Sequence, residues 1–272
     1  MKKLRVGTHK SINIPNITTP PMNILKRNIK TPLLLKGEKK SDYYDNQLIK
    51  ADTGLHGQIF DIIQNRFHDR DINILDIACG DGALSSRLSD HGYLNINAVD
   101  IESKLPIMEK GIKFSKLDLN NQNEFEEFAH SNKEKYELIL GIETIEHLEN
   151  PWNYLRSLKI MLKKSGIILI STPNISSIYS KISFLTKNIF FQFGEDDLSY
   201  WHINPISSFE MVTIINHLNL KLIEKTTGGT YPILWLKRNI HFSIVYSLGN
   251  LIFYPICRED RYGWCIIYTI TK

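Results

Sequence analysis

The chain has 272 residues, 42% of them hydrophobic, which is enough to bury one substantial core and favours one domain with attachments over two equal domains. Three cysteines, Cys79, Cys257 and Cys265, leave one unpaired under any disulfide scheme and have no metal-ligand spacing, which excludes a disulfide scaffold and suits a reducing compartment. The net charge of +4 is uneven: residues 1–40 hold ten Lys or Arg against the single acid Glu38, and the remainder has 23 bases against 28 acids, a balance that argues against a nucleic-acid groove in the body.

Residues 1–40 read as a basic arm, solvated or touching anionic lipid or a phosphorylated substrate, which leaves a peripheral membrane contact open. Residues 1–30 contain no continuous apolar run and include Pro15, Pro20 and Pro21, so no signal peptide is expected and the chain is expected to be cytoplasmic. From residue 41 the composition changes. Leu48, Leu55, Ile59, Ile62, Ile63 and Phe67 suit an amphipathic helical entry to the first strand.

The run from Ile72 to Ile77, broken only by Asp76, leads into Ala78-Cys79-Gly80-Asp81-Gly82, and Leu84 and Leu88 then recur at helical spacing. This is the pattern of a buried strand, a tight loop and a helix. The glycines allow close backbone approach to a ligand, and the helix start offers unpaired N–H groups. Gly80, Gly82 and Ser85 come close to a dinucleotide-binding turn. Yet Asp76 and Asp81 would repel a diphosphate, and they suit a ligand that carries an ammonium, a ribose diol and a positive sulfur. The stretch Leu75 to Gly82 resembles the first motif of the class I S-adenosylmethionine-dependent methyltransferases, among them the small-molecule group that includes the ubiquinone O-methyltransferases. It departs from that motif at Ala78, where the family often has glycine.

A second strand, Leu94 to Val99, closes on Asp100, about twenty residues past the glycine loop, where a fold of this kind contacts a ribose hydroxyl pair. A third runs from Ile112 to Leu117 and ends at Asp118-Leu119. A polar helix near Glu124 to His130 precedes a fourth, Tyr136 to Leu140, and Gly166 to Ile170 is the fifth. Ser207-Ser208-Phe209-Glu210 has capping-box spacing ahead of a helix, Leu220 to Ile223 is a sixth strand, and Trp264 to Thr271 a last. The alternation predicts an α/β, Rossmann-like, doubly wound sheet, and the resemblance implies seven strands, mostly parallel with an antiparallel last strand. The connections at 175–206 and 225–261 are too long for plain loops and are expected to form helical cap insertions over the substrate. Asn239 to Cys257 carries no formal charge but is too polar for a membrane span, which leaves an interfacial helix or a buried or partner-facing cap.

The segment Leu140 to Pro151, with Ser171-Thr172-Pro173-Asn174 and Tyr200 to Pro205, extends the resemblance over residues 40–225. By that resemblance S-adenosyl-L-methionine is the cofactor, held by Asp76, Ala78, Cys79, Gly80, Gly82, Asp100, Ile101, Asp118, Leu119, Ile142 and Glu143. Tyr43 and Tyr44 would be lid residues. In-line methyl transfer needs alignment more than covalent catalysis, and a hydroxyl acceptor also benefits from a base. His147 and His202 are the candidates. The expected acceptor is a small-molecule, lipid or glycan hydroxyl. Glu143-x-x-Glu146-His147 plus His202 also matches the metal-ligand pattern of small-RNA terminal 2′-O-methyltransferases. No metal is assigned, because the same string runs through metal-independent relatives and the acidic body disfavours RNA. A nicotinamide oxidoreductase and a non-catalytic S-adenosylmethionine-binding protein are the rival readings.

Overall fold

A computed structural model of the chain describes residues 42–102, 107, 110–229, 244, 248, 252 and 263–272. The basic arm and the uncharged stretch Asn239 to Cys257, apart from three positions in the latter, lie outside the described residues. So does Cys257. No helix among the described residues is long and apolar enough to cross a membrane.

A short antiparallel hairpin, β1 (Asp42–Tyr44) and β2 (Gln47–Ile49), precedes α1 (Leu55–Arg66). The expected helical entry therefore begins later than its apolar spacing suggested. Asp45 and Asn46 adopt left-handed φ of 48° and 62°, which turns the chain in two residues, and places Leu48 in a strand.

The main sheet contains β3 (Asn73–Ile77), β4 (Asn95–Asp100), β5 (Lys113–Lys116), β6 (Tyr136–Gly141), β7 (Leu162–Pro173), β8 (Lys221–Gly228) and β9 (Cys265–Thr271), in the order β5-β4-β3-β6-β7-β9-β8. β9 is antiparallel to both neighbours, and the pairs from β5 across to β7 are parallel. This is the expected seven-stranded, mostly parallel sheet. Strand order reverses between β3 and β6, so a crevice opens beyond their carboxyl ends.

Strands buried on both faces explain the near-continuous apolar runs. Successive residues alternate between two cores. Leu75, Ile77, Ile139, Ile168 and Ile170 meet α3 (Gln122–Ser131), α4 (Pro151–Met161) and α7 (Ser208–His217) through Phe125, Leu155, Leu158, Met211 and Ile214. Ile74, Leu138, Leu140 and Leu169 meet α1 and α2 (Ala83–Asp90) through Leu55, Ile59, Ile63, Leu84 and Leu88. Side-chain caps fix the helix starts: Asn150 accepts the N–H of Asn153 with Pro151 in the first turn, and Ser207 accepts the N–H of Glu210 as the capping spacing predicted.

Two boundaries differ from the sequence reading. β7 starts at Leu162 rather than Gly166, because Leu162 pairs with Tyr136 before the register jumps to Ile167 opposite Leu138. β8 runs on to Gly228, so residues 225–228 are strand rather than connection. Residues 175–206 form α5 (Ile178–Lys187), α6 (Glu195–Leu198) and irregular loops.

Candidate active site

The carboxyl ends of β3, β4 and β6 carry most of the residues singled out above. Beyond β3 the chain enters a loop with three left-handed residues: Ala78 at φ 56°, Gly80 at 57° and Gly82 at 84°. A Cβ on Gly82 would lie 2.1 Å from Cγ2 of Ile107, so this position requires glycine for both φ and space. Ala78 adopts left-handed φ despite its Cβ. Ala78→Gly should therefore stabilise the fold by about 0.5–1 kcal/mol, the relief of left-handed strain less the entropy that glycine loses, read as a raised urea midpoint with an unchanged slope.

The loop is pinned to β4. Cys79 N–H donates to Val99 O (3.0 Å) and Gly80 N–H to Asp100 Oδ2 (2.8 Å), while Asp100 Oδ1 accepts the N–H of Glu102 (3.2 Å). A carboxylate offers about four acceptor sites, so these two bonds orient Asp100 and leave capacity for a diol. Ile101 beside it is 58% exposed, placed as a platform rather than in the core. The Cys79 thiol is inert as a nucleophile, because burial, with Asp76 beside it, pushes its pKa up.

Asp76 is buried and accepts the Ser85 hydroxyl at 2.6 Å. Burial lifts its carboxyl to about 6, with Ser85 opposing and Asp100 adding to the rise. Asp81 faces solvent and pairs with Lys50 Nζ at 2.8 Å. Lys50 follows β2, and its stem lies 3.3 Å from where a Gly80 Cβ would be. The sequence reading missed this cation; a lone lysine in a polar loop gives no local signal. Tyr44 belongs to the same hairpin, where its hydroxyl donates to Asp90 and its ring lies under the Arg87 guanidinium, 4.6 Å away; Tyr43 is exposed.

Asp118 follows β5 and accepts the N–H of Asn120 (2.9 Å), a local turn that leads to the Asn121 cap of α3, while Leu119 packs on the core. Ile142 is almost buried at the end of β6. Glu143 takes φ 50° and turns inward: its N–H donates to Ser171 Oγ (2.9 Å), Ser171 donates to Oε1 (2.8 Å), and the Cys265 thiol lies 3.2 Å from Oε2. Both its oxygens are thus engaged by β7 and β9, which favours a positioning role over direct ligand contact.

A single 3₁₀ turn, Ile145–His147, follows. It is tied to the loop before α7 by the N–H groups of Ile203 and Asn204, which both donate to Glu146 O. That clamp brings together residues 55 apart in sequence. The His147 and His202 rings lie 4.8 Å apart, edge to face. His202 Nδ1 is 2.8 Å from Gln192 O, and since a carbonyl only accepts, Nδ1 carries a proton, which places the lone pair of the neutral ring on Nε2. Burial, then the proximity of His202, lowers the His147 pKa and holds that ring neutral.

Glu146 is fully buried, and neither carboxyl oxygen has a hydrogen-bond partner. Burial and then the charge of Glu143 raise its pKa well above the carboxylate range, and the neighbouring Thr172 hydroxyl opposes the rise. Glu146, His147 and His202 each present a ligand atom, all within 4.8 Å of one another, a donor set of acid and imidazole that fits a divalent ion. Phe193 lies 5.7 Å from His202; separately, Phe191 stacks on Trp264 at 4.2 Å with Tyr179 edge-on, a cluster packed on the core that faces α1 and α2.

This sheet order, with a glycine loop, an acid closing the second strand and an open crevice at the switch point, defines a class I S-adenosylmethionine-dependent methyltransferase. A family model described as a methyltransferase domain matches residues 52–225, and the chain belongs to that family. Among curated relatives, the ubiquinone biosynthesis O-methyltransferase of Dinoroseobacter shibae is 32% identical over 103 residues, 38% of this chain and 42% of that protein. The protein of the same name from Ruegeria sp. is 24% identical over 164 residues, 60% of this chain and 66% of that one. The matches thus span less than two thirds of these relatives' length. Of solved structures, a SAM-dependent methyltransferase from Archaeoglobus fulgidus aligns with TM-score 0.54 at 18% identity, covering 79% of this chain and 93% of that one. The phosphoethanolamine N-methyltransferase 2 of Haemonchus contortus, in complex with S-adenosyl-L-methionine, aligns with TM-score 0.51 at 11% identity, covering 82% of this chain and 54% of that one.

Proposed function

We propose that the enzyme methylates a hydroxyl of a small aromatic molecule, with His202 as the proton acceptor and His147 holding it in place. S-adenosylmethionine supplies an electrophilic methyl on a good leaving group. His202 Nε2 would take the proton of the acceptor hydroxyl as the methyl leaves the sulfur for the acceptor oxygen, and His147 would hold the His202 ring in place. The observation that carries this reading is the His202 Nδ1 contact with Gln192 O, which in the neutral ring puts the lone pair on Nε2, beside His147, whose pKa burial lowers. The Phe193 ring beside His202 and the name of the relatives support an aromatic acceptor over a glycan. Asp100 would hold the ribose diol, and Asp76, Ala78, Cys79, Gly80 and Gly82 would shape the floor beneath it. Ile101, with Asp118 and Leu119, would flank the base, and Ile142 and Glu143 would close the methionine end.

A second reading rests on the carboxyl of Glu146, which makes no hydrogen bond and lies 3.9 Å from His147 Nε2: with His147 and His202 it would hold a divalent ion that polarises the acceptor hydroxyl. Assaying transfer from methyl-labelled cofactor to fractionated phenolic, lipid and glycan acceptors, with and without chelator, separates the two. His202→Ala should lower kcat by about 10²-fold or more with cofactor affinity unchanged. Full activity in chelator removes the metal reading; full activity of His202→Ala removes both.

A further inference from the structure

The carboxyl ends of α3 and α7 and the middle of α4 enclose a surface cavity of about 490 Å³ on the opposite edge of the sheet from the crevice. The placement follows from topology. Lys272 continues β9 past Thr271, which pairs with Ile167 near the start of β7 and with Lys221 at the start of β8, so the cavity lies at the amino ends of the parallel strands. Its lining includes His130, Lys133, Arg156, Lys159, His217 and Lys272, and no carboxylate. Such a concentration of base is anomalous on a body where acids outnumber bases.

Helix carboxyl ends attract cations, and that accounts for part of the set. Lys159 Nζ donates to Leu218 O at the end of α7 (2.6 Å), and Lys272 Nζ donates to Leu162 O (3.1 Å) and pairs with the exposed Glu134. It does not account for Arg156, in the middle of α4, whereas Lys133 stands two residues past the end of α3, where the same attraction applies. Among the described residues neither is ion-paired, and the one side-chain contact of Arg156 is a 3.5 Å approach to Asn153 Oδ1. With Glu134 as the neighbouring counter-charge to Lys272 and Lys133, the cations still outnumber the acids there and repel one another, and an anion with several acceptor oxygens relieves that repulsion.

We propose that this cavity is a second binding site, for a phosphate-bearing ligand, in which Arg156 and Lys133 grip the phosphate oxygens and Lys272 swings from its surface pair to join them. Arg156 offers a planar fork that matches a phosphate, and Lys133 a mobile point charge at the rim. A Glu134 pair in open solvent is weak and easily exchanged. The chemistry is shared by a soluble phosphorylated metabolite and by the headgroup of an anionic phospholipid. Because the site is remote from the crevice, its occupation leaves methyl transfer unobstructed.

The test uses the full chain with two variants, Lys133→Glu, a change at an exposed position, and Lys133→Gln/Arg156→Gln. Calorimetric titration with pyrophosphate should give a saturable signal that weakens with added salt and falls about tenfold or more in both variants, as loss of a charge-assisted hydrogen bond requires. Cosedimentation with phosphatidylcholine vesicles, with and without phosphatidylglycerol, is the second arm. Pyrophosphate binding lost in the variants supports the site with a soluble ligand. Binding only to phosphatidylglycerol vesicles, reduced by a similar factor in the variants, supports it with a headgroup. If neither probe binds, or if wild type and variants bind alike, the proposal is overturned.

Discussion

Replacing Asp100 with alanine should weaken S-adenosylmethionine binding by about 1.5–3 kcal/mol, roughly 10- to 150-fold, because charge-assisted hydrogen bonds to the ribose diol would be lost from a position with no substitute. The geometry sharpens this expectation. Asp100 also accepts the N–H of Gly80 at 2.8 Å, so the variant loses the contact that fixes the glycine loop as well as the ligand contact. Asp100→Asn separates these effects: one amide oxygen can still receive the Gly80 N–H, whereas the charge is gone. Calorimetry should rank affinity as wild type, then Asn, then Ala. Unchanged affinity in both variants would remove Asp100 from the site.

The second large effect concerns Asp76 and has opposite signs for stability and binding. Its carboxyl titrates at about 6 in the folded chain against 3.8 for an ordinary aspartate, mainly because of burial. Between pH 4 and 6 the folded state therefore retains a proton that the unfolded state has released. Stability falls as pH rises through that window, and the full penalty, on the order of 3 kcal/mol, applies at pH 7. Asp76→Asn removes the charge and can still accept the Ser85 hydroxyl. The ligand-free variant should be more stable than wild type at pH 7 by about 2–3 kcal/mol, its denaturation midpoint should vary less between pH 4 and 6, and the melting shift induced by S-adenosylmethionine should shrink. A buried carboxylate maintained at such a cost is the expected trade of stability for recognition of a cationic ligand. A variant no more stable than wild type at pH 7 would contradict the burial argument.

Much of this was legible from local sequence. The strand, glycine loop and helix around Gly80 and Gly82, the acid at the end of β4, and the capping at Ser207 are each marked by residue type and spacing within a few positions, although the bonds that pin the loop to β4 span twenty residues. The Asp45-Asn46 turn was less visible because both residues are ordinary loop formers and only their left-handed φ makes a hairpin. The surroundings of Glu143 were hidden for a different reason. Ser171, 28 residues away, reaches it because β7 pairs with β6, and Cys265, 122 residues away, because β9 inserts beside β7. His147 and His202 are each legible as a candidate base, but their closeness depends on two N–H groups that clamp a distant loop onto Glu146 O. Nothing in the string Ile145 to Leu148 marks Glu146 as a carboxyl with no hydrogen-bond partner.

The central claim is that acids, rather than phosphate-binding groups, line the crevice and so select a sulfonium nucleoside over a dinucleotide. Thermal unfolding of the full chain with S-adenosylmethionine and, separately, with a nicotinamide dinucleotide tests it most directly. The melting temperature should rise with S-adenosylmethionine, in a concentration-dependent manner, and remain unchanged with the dinucleotide; a rise with the dinucleotide alone would contradict the account.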